Sequence, residues 1–194
     1  MIETKIEIAE KKHRSTIGFW LYLMTDSLLF ASLFAVYIVL KDGIASGPEA
    51  KDIIVMPLVL TETILLLASS LTCGLALLSF KFKKIRQAVV FLALTYALGV
   101  AFLTIELTEF STLIADGHGW QHSAFLSAFF VLVATHGAHI AVGLLWLLVL
   151  IIVLARKGLT SKLERQFTLF GLFWHFLDLV WIFIFSIVYL GGLL

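Results

Sequence analysis

"SAFLSAFFVLVATHGAHIAVGLLWLLVLIIVL" runs from Ser123 to Leu154 without one Asp, Glu, Lys or Arg. An apolar run of about 20 residues suffices to cross a hydrocarbon core of about 30 Å as a helix. At about 1.5 Å per residue this one outruns the core, so it must tilt or project. Near its middle stand His136 and His139, three residues apart and therefore on one helix face. Hydrocarbon is a poor solvent for a pair of imidazoles. What surrounds them decides whether they bind a metal, carry protons or join helices.

The rest of the chain repeats the pattern. Of its 194 residues 61% are hydrophobic and only 14% charged, with a mean hydropathy of +1.05. A soluble domain carries about 25% charged residues. Apolar runs occupy 17–40, 57–80, 88–110, 123–154 and 167–190. Transmembrane β-strands show only weak alternation over short segments, so the runs read as helices. The expectation is an all-α, polytopic protein, a bundle of five transmembrane helices forming a single membrane domain over 1–194. Pro57 suits the first turn of the second helix, where its missing N–H is no loss. The first sixteen residues are polar and the first apolar run is too long for a signal-peptide core, so a cleaved leader is not expected.

Charge sets the orientation. Lys5, Lys11, Lys12 and Arg14 precede the first span. Lys81, Lys83, Lys84 and Arg86 lie between the second and third, and Arg156, Lys157, Lys162 and Arg165 between the fourth and fifth. Only Lys41 and Lys51 fall on the other side. The positive-inside rule then places the N-terminus in the cytoplasm and the C-terminus outside. A net charge of +1 gives no signal for nucleic acid. Cys73 is the only cysteine, so a disulfide within the chain and a Cys-based metal site are excluded. Trp20, Trp120 and Tyr189 lie near span ends, as interfacial aromatics do. Ala93, Ala97 and Ala101 form a small-residue stripe that suits a helix contact.

The ionisable residues inside the spans are the candidates for function: Asp26, Glu62, Glu106, Glu109, His136, His139, His175 and Asp178. Each costs several kcal/mol at membrane depth, about 2.5 or more for an Asp at the centre, unless it finds a protein partner or water. Three pairs (Glu106/Glu109, His136/His139, His175/Asp178) each mark one face. A di-iron bundle uses Glu-x-x-His from two helices; here the motifs are Glu-x-x-Glu, His-x-x-His and the reversed His-x-x-Asp. A bis-His heme between His136 and His175 has no specific support. Transport through a five-span chain without an inverted repeat is a poor fit. The favoured reading is interhelical hydrogen bonding that fixes the packing. Glu62 stays open between a proton-shuttling carboxyl and a neutral acid bonded to its neighbour. Asp26, His175 and Asp178 share the inner half and are expected to meet as a His–carboxylate contact. His13, His118 and His122 lie in polar segments and read as surface residues.

Six stretches occur in order: "GFWLYLMTDSLLFASLFAVY", "TETILLLASS", "GVAFLTIELTEF", "ATHGAHIAVGLLW", "ARKGLTS" and "FWHFLDLVWIFIFSIVYL". Together the set resembles subunit III of the heme–copper terminal oxidases, across all five spans. The five-span form and "RKGLTS" look most like the subunit III of bo-type ubiquinol oxidases. The resemblance implies a subunit with no redox centre of its own. Heme and copper belong to subunit I, on whose flank it packs, with subunit II and a small subunit IV in the complex. It implies bound phospholipid in a cleft between helices, with the three-helix and two-helix halves as possible flanks, and a bacterial inner membrane location. It makes Glu62 the family's carbodiimide-reactive membrane carboxyl and places His136, His139 and the "WHFLDLVW" residues in the family signature. Two alternatives are a short-form cytochrome c oxidase subunit III and a stand-alone heme or metal enzyme.

Overall fold

The computed structural model describes residues 2–44 and 50–193, and the side chains of 14–44, 51 and 53–193. Five long helices account for the apolar runs: α1 (Ile2–Leu40), α3 (Met56–Lys81), α4 (Ile85–Ala115), α5 (Ala124–Lys157) and α6 (Ser161–Ile184). A short α2 (Ala50–Ile53) precedes α3, and α6 continues as a π-helix, Phe185–Leu190, and a last turn α7, Gly191–Leu193. All five are long and apolar enough to cross a membrane, the first over Arg14–Leu40. The helices outrun the hydropathy limits where polar residues can still be helical. Thus α4 continues past Phe110 to Ala115 and α6 begins at Ser161 instead of Phe167.

The helix ends follow local chemistry. Leu126 N–H donates to Ser123 Oγ at 3.1 Å and Leu163 N–H to Thr160 Oγ1 at 3.3 Å, so both helices start on a hydroxyl cap. The C-terminus of α4 closes with Gly117 at φ +82°, its N–H on Ile114 O and that of His118 on Leu113 O. This is the Schellman arrangement, where glycine is the usual left-handed residue. The end of α3 repeats it, with Lys83 N–H on Phe80 O and Lys84 N–H on Ser79 O, but the left-handed residue is Lys83 at φ +57°.

Each long helix buries a seam spaced alternately three and four residues apart. On α4 it reads Ala88, Leu92, Thr95, Gly99, Phe102, Glu106, Glu109 and Leu113. On α6 it includes Leu163, Phe167, Phe170, Trp174, Leu177, Trp181 and Ile184. Such spacing averages 3.5 residues and gives left-handed, knobs-into-holes packing. Helices α3 and α4 form an antiparallel pair; α6 packs on α3 and α5, and α1 packs on α5 and α6. Thus α5 and α6 stand between α1 and the α3–α4 pair.

Ala93 and Ala97 are exposed, because the inner face of α4 follows the 3.5-residue seam and the alanine stripe runs down another side. One sequence expectation is overturned. Tyr189 is fully buried against Phe129 and Trp181, because the π-helix turns it inward from the membrane boundary. Trp20 and Trp120 are about half exposed, at 52% and 49%.

Replacing Lys83 with glycine removes a left-handed L-residue, at a cost of extra chain entropy. Lys83→Gly is therefore expected to stabilise the protein by up to about 1 kcal/mol. Thermal denaturation in detergent, followed by loss of monomeric protein on size exclusion, measures it; an unchanged or lower midpoint contradicts the cap assignment.

Candidate functional site

Helix α3 presents hydroxyls, and α6 presents rings to receive them. The two helices are antiparallel, and their contacts keep one register: Phe80 with Phe167, Leu77 with Gly171, Ser70 with His175, Ser69 with Trp174, Thr63 with Trp181. Trp174 Nε1–H donates to Ser69 Oγ at 3.0 Å and Trp181 Nε1–H to Thr63 Oγ1 at 3.1 Å. Ser70 Oγ and His175 Nδ1 are 2.6 Å apart. Asp178 lies within electrostatic reach of His175 and Ser70. Thr72 and Thr95 hydroxyls meet at 2.8 Å between α3 and α4.

Trp174 also fills a hole made by two glycines. A Cβ added at Gly99 of α4 would lie 3.0 Å from its ring and 2.8 Å from Leu144; one at Gly143 of α5 would lie 2.9 Å from the ring. One side chain from α6 therefore touches α3, α4 and α5.

The histidine pair of α5 faces α1. Phe30 lies against both rings, 6.3 Å from that of His136 and 5.2 Å from that of His139 between centroids. The two then diverge. His139 Nδ1–H donates to Thr135 O at 2.6 Å, and its Nε2 lies 3.5 Å from Asp26 Oδ2. Since Nδ1 must donate to the carbonyl, the contact attracts only if Nε2 or the carboxyl carries a further proton. Asp26 thus joins His139, not His175 and Asp178 as expected. His175 lines a groove between α1 and α6 but bonds to Ser70 of α3, which splits the expected trio between two contacts. His136 is fully buried within an aromatic cage, edge-on to Phe102 at 6.0 Å and tilted over Trp181 at 5.3 Å. Neither of its ring nitrogens has a hydrogen-bond partner among the described residues, so it is an aromatic packing residue where a polar contact was expected.

Three carboxyls gather toward the other end of the bundle. Glu62 of α3 and Glu106 of α4 occupy seam positions and are 0% and 2% exposed. They lie within electrostatic reach of one another, of Glu109 and of the Tyr189 hydroxyl. The carboxyl oxygens of Glu62 and Glu106 and the Tyr189 hydroxyl have no hydrogen-bond partner among the described residues. Glu106 reaches this place only because residue 137 is glycine: an added Cβ would sit 2.6 Å from its Oε1. Among the described residues no three His, Cys, Asp or Glu side chains are disposed to hold a metal ion.

The sequence reading missed the hydroxyls at 63, 69, 70, 72 and 95. Ser and Thr carry little signal in an apolar run because they can bond their own helix, as Ser69 does to Leu66 O and Thr95 to Phe91 O. The signal was in their register with the two tryptophans. His118, read as a surface residue, is half-buried beside Glu109 at the edge of a cavity. The side chain of His13 lies outside the described residues.

A bundle of this shape, with polar groups turned between its helices, fits a membrane subunit better than a catalytic pocket. The sequence profile of cytochrome c oxidase subunit III matches residues 9–193. The chain belongs to this family. It is 52% identical over 180 residues to the cytochrome bo(3) ubiquinol oxidase subunit 3 of Pseudomonas aeruginosa, covering 93% of this chain and 86% of that protein. It is 45% identical over 177 residues to the cytochrome c oxidase subunit 3 of a Bacillus species, covering 91% and 86%. To the quinol oxidase subunit 3 of Bacillus subtilis it is 39% identical over 185 residues, covering 95% and 91%. As a member it is a multi-pass subunit III of a heme–copper terminal oxidase, one chain of a multi-subunit complex.

Two outcomes follow. In a double-mutant cycle, Ser69→Ala and Trp174→Phe are expected to couple by about 0.6 kcal/mol, the usual worth of an interhelical bond in membranes; additive effects contradict the bond. Gly137→Ala should destabilise by about 1–3 kcal/mol through overpacking, and Glu106→Ala in the same chain should recover part of it. Failure of the second change to rescue the first contradicts the Glu106–Gly137 contact.

Proposed function

We propose that this chain is the non-catalytic scaffold subunit of a quinol-oxidising, proton-pumping terminal oxidase in a bacterial inner membrane. The observation that carries the reading is the match to subunit III over residues 9–193, with quinol oxidase subunits among the relatives at 39–52% identity. Heme and copper sit in subunit I, where dioxygen is reduced to water with electrons from quinol. This chain packs beside it with subunit II and the small subunit IV. Its buried groups support a structural role. Asp26–His139 brings α1 against α5, the Ser69, Ser70 and Thr63 bonds tie α3 to α6, and Glu62, Glu106 and Glu109 are buried with Tyr189 between α3, α4 and the π-helix that follows α6. The N-terminus is cytoplasmic and the C-terminus outside, as the basic residues at the N-terminus and in the second and fourth connections favour.

Phospholipid fits a groove of about 310 Å3 between α1 and α6. Trp20, Leu23, Met24, Leu172, Phe176 and Leu179 give it mostly apolar walls suited to an acyl chain, with Ser27 and His175 as its polar members. Cytochrome c is the second reading for the electron donor, favoured by the Bacillus relative named for that oxidase.

Native purification through a tag on this chain tests the proposal. The expected preparation carries heme on a different subunit, consumes oxygen with quinol and does not oxidise reduced cytochrome c. Oxidation of cytochrome c with no quinol activity selects the second reading. A Soret band on the isolated chain, or no heme-bearing partner at all, overturns the scaffold role.

A further inference from the structure

Of the eight ionisable residues singled out inside the spans, His175 alone has an exposed side chain. It stands eight residues into the apolar run that begins at Phe167, about 12 Å along the helix. Two of its ring atoms are turned to α3. Nδ1 lies 2.6 Å from Ser70 Oγ, and Cε1 is the atom nearest a Cβ built on Gly74, at 4.0 Å. The remaining edge of the ring carries Nε2, and the open space beside it is the groove between α1 and α6.

The contact with Ser70 also fixes what Nε2 offers. The Ser70 hydroxyl has one hydrogen, and the Asp178 carboxyl, which when ionised only accepts, bonds to it. Nδ1–H then donates to Ser70 Oγ, and in the neutral ring Nε2 keeps a bare lone pair. Hydrocarbon leaves that lone pair unmet. The other polar member of the groove does not help, because Ser27 Oγ–H donates to Leu23 O at 2.8 Å on its own helix. An acyl chain has no hydrogen to give, and the ester oxygens of a phospholipid are acceptors like Nε2 itself.

An occupant that answers Nε2 must have an apolar body, lie at membrane depth and carry an O–H. A membrane quinol has all three. The groove, at about 310 Å3, is at the small end of cavities that hold organic molecules, and the indole of Trp20 in its wall suits a flat ring. We propose that the groove between α1 and α6 is a binding site for the membrane quinol, whose ring hydroxyl donates to His175 Nε2, in competition with the phospholipid that the same walls admit. The inference rests on the subunit reading above, which makes quinol the reductant of the complex. It concerns binding alone. The oxidised ring has carbonyl acceptors where the quinol has hydroxyls, so the site favours the reduced form.

Photolabelling of the whole complex tests this. The complex is purified through a tag on this chain and placed in phosphatidylcholine nanodiscs without oxygen. It is illuminated with ubiquinol bearing a diazirine on its side chain, and labelled peptides are mapped. Label is expected within 20–27 and 172–179, displaced by excess unmodified ubiquinol. Oxidised ubiquinone should compete about three- to tenfold less well, the usual worth of one hydrogen bond. His175→Phe keeps a flat ring without the nitrogens and should abolish that preference. Met24→Trp fills the groove from its lipid side without touching the Ser70 contact, and should remove the label while heme is retained. Label that excess ubiquinol does not displace, equal competition by quinol and quinone, or no label on either stretch in a heme-bearing preparation overturns the site and leaves the subunit reading intact. Failure of the unsubstituted chain to co-purify heme overturns the subunit reading, and this inference with it.

Discussion

The indole of Trp174 is the piece on which the rest of the bundle depends. It projects from α6 into a space that exists only because α4 has Gly99 and α5 has Gly143 at the facing seam positions. Its N–H then donates to Ser69 on α3. Inside a membrane there is little hydrophobic gain from bringing apolar helices together, so close packing and a few directed bonds must do it. One large ring in contact with three helices supplies both. It sets the spacing of α4 and α5 by its size and the axial register of α3 by its hydrogen bond.

Polar groups take the places that this packing leaves. The hydroxyls of Ser69 and Ser70 bond to α6 along one stretch of α3, and the carboxyls of α3 and α4 gather beyond them, beginning beside Thr63 and its bond to Trp181. Three residues that would be liabilities on a lipid-facing surface, Glu62, Glu106 and Glu109, sit instead on seams. A buried polar group penalises any register that would move it into hydrocarbon. For a subunit III of a respiratory oxidase this favours a single, stiff arrangement, suited to bracing a neighbour that carries out the electron transfer.

The five helices were legible because length and hydropathy suffice for them, and the pairing of His136 with His139 on one face was legible from spacing. Partners were not. Asp26 and His175 share a depth, but α1 faces the histidines of α5 through Phe30, so Asp26 meets His139. The alanine stripe signalled close approach without saying to what, since spacing alone does not tell an inner seam from an outer one. Tyr189 looked interfacial by its position at a span end. Only a departure from regular α-helical winding brings it inside, and no hydropathy pattern encodes that.

The departure is the six-residue π-helix, Phe185–Leu190. Such a turn amounts to an α-helix with one extra residue accommodated. Each residue advances an α-helix by about 100°, so the extra one re-aims everything beyond it without changing what came before. Trp181 and Ile184 keep their seam with α3, while Tyr189 is swung toward the carboxyls of α3 and α4. The composition of the carboxyl cluster is therefore set partly by a count of residues. A shortening of the chain by one position in this segment would leave every chemical group present and put the phenol on the wrong side of the helix, a frame error in space with no change of reading frame.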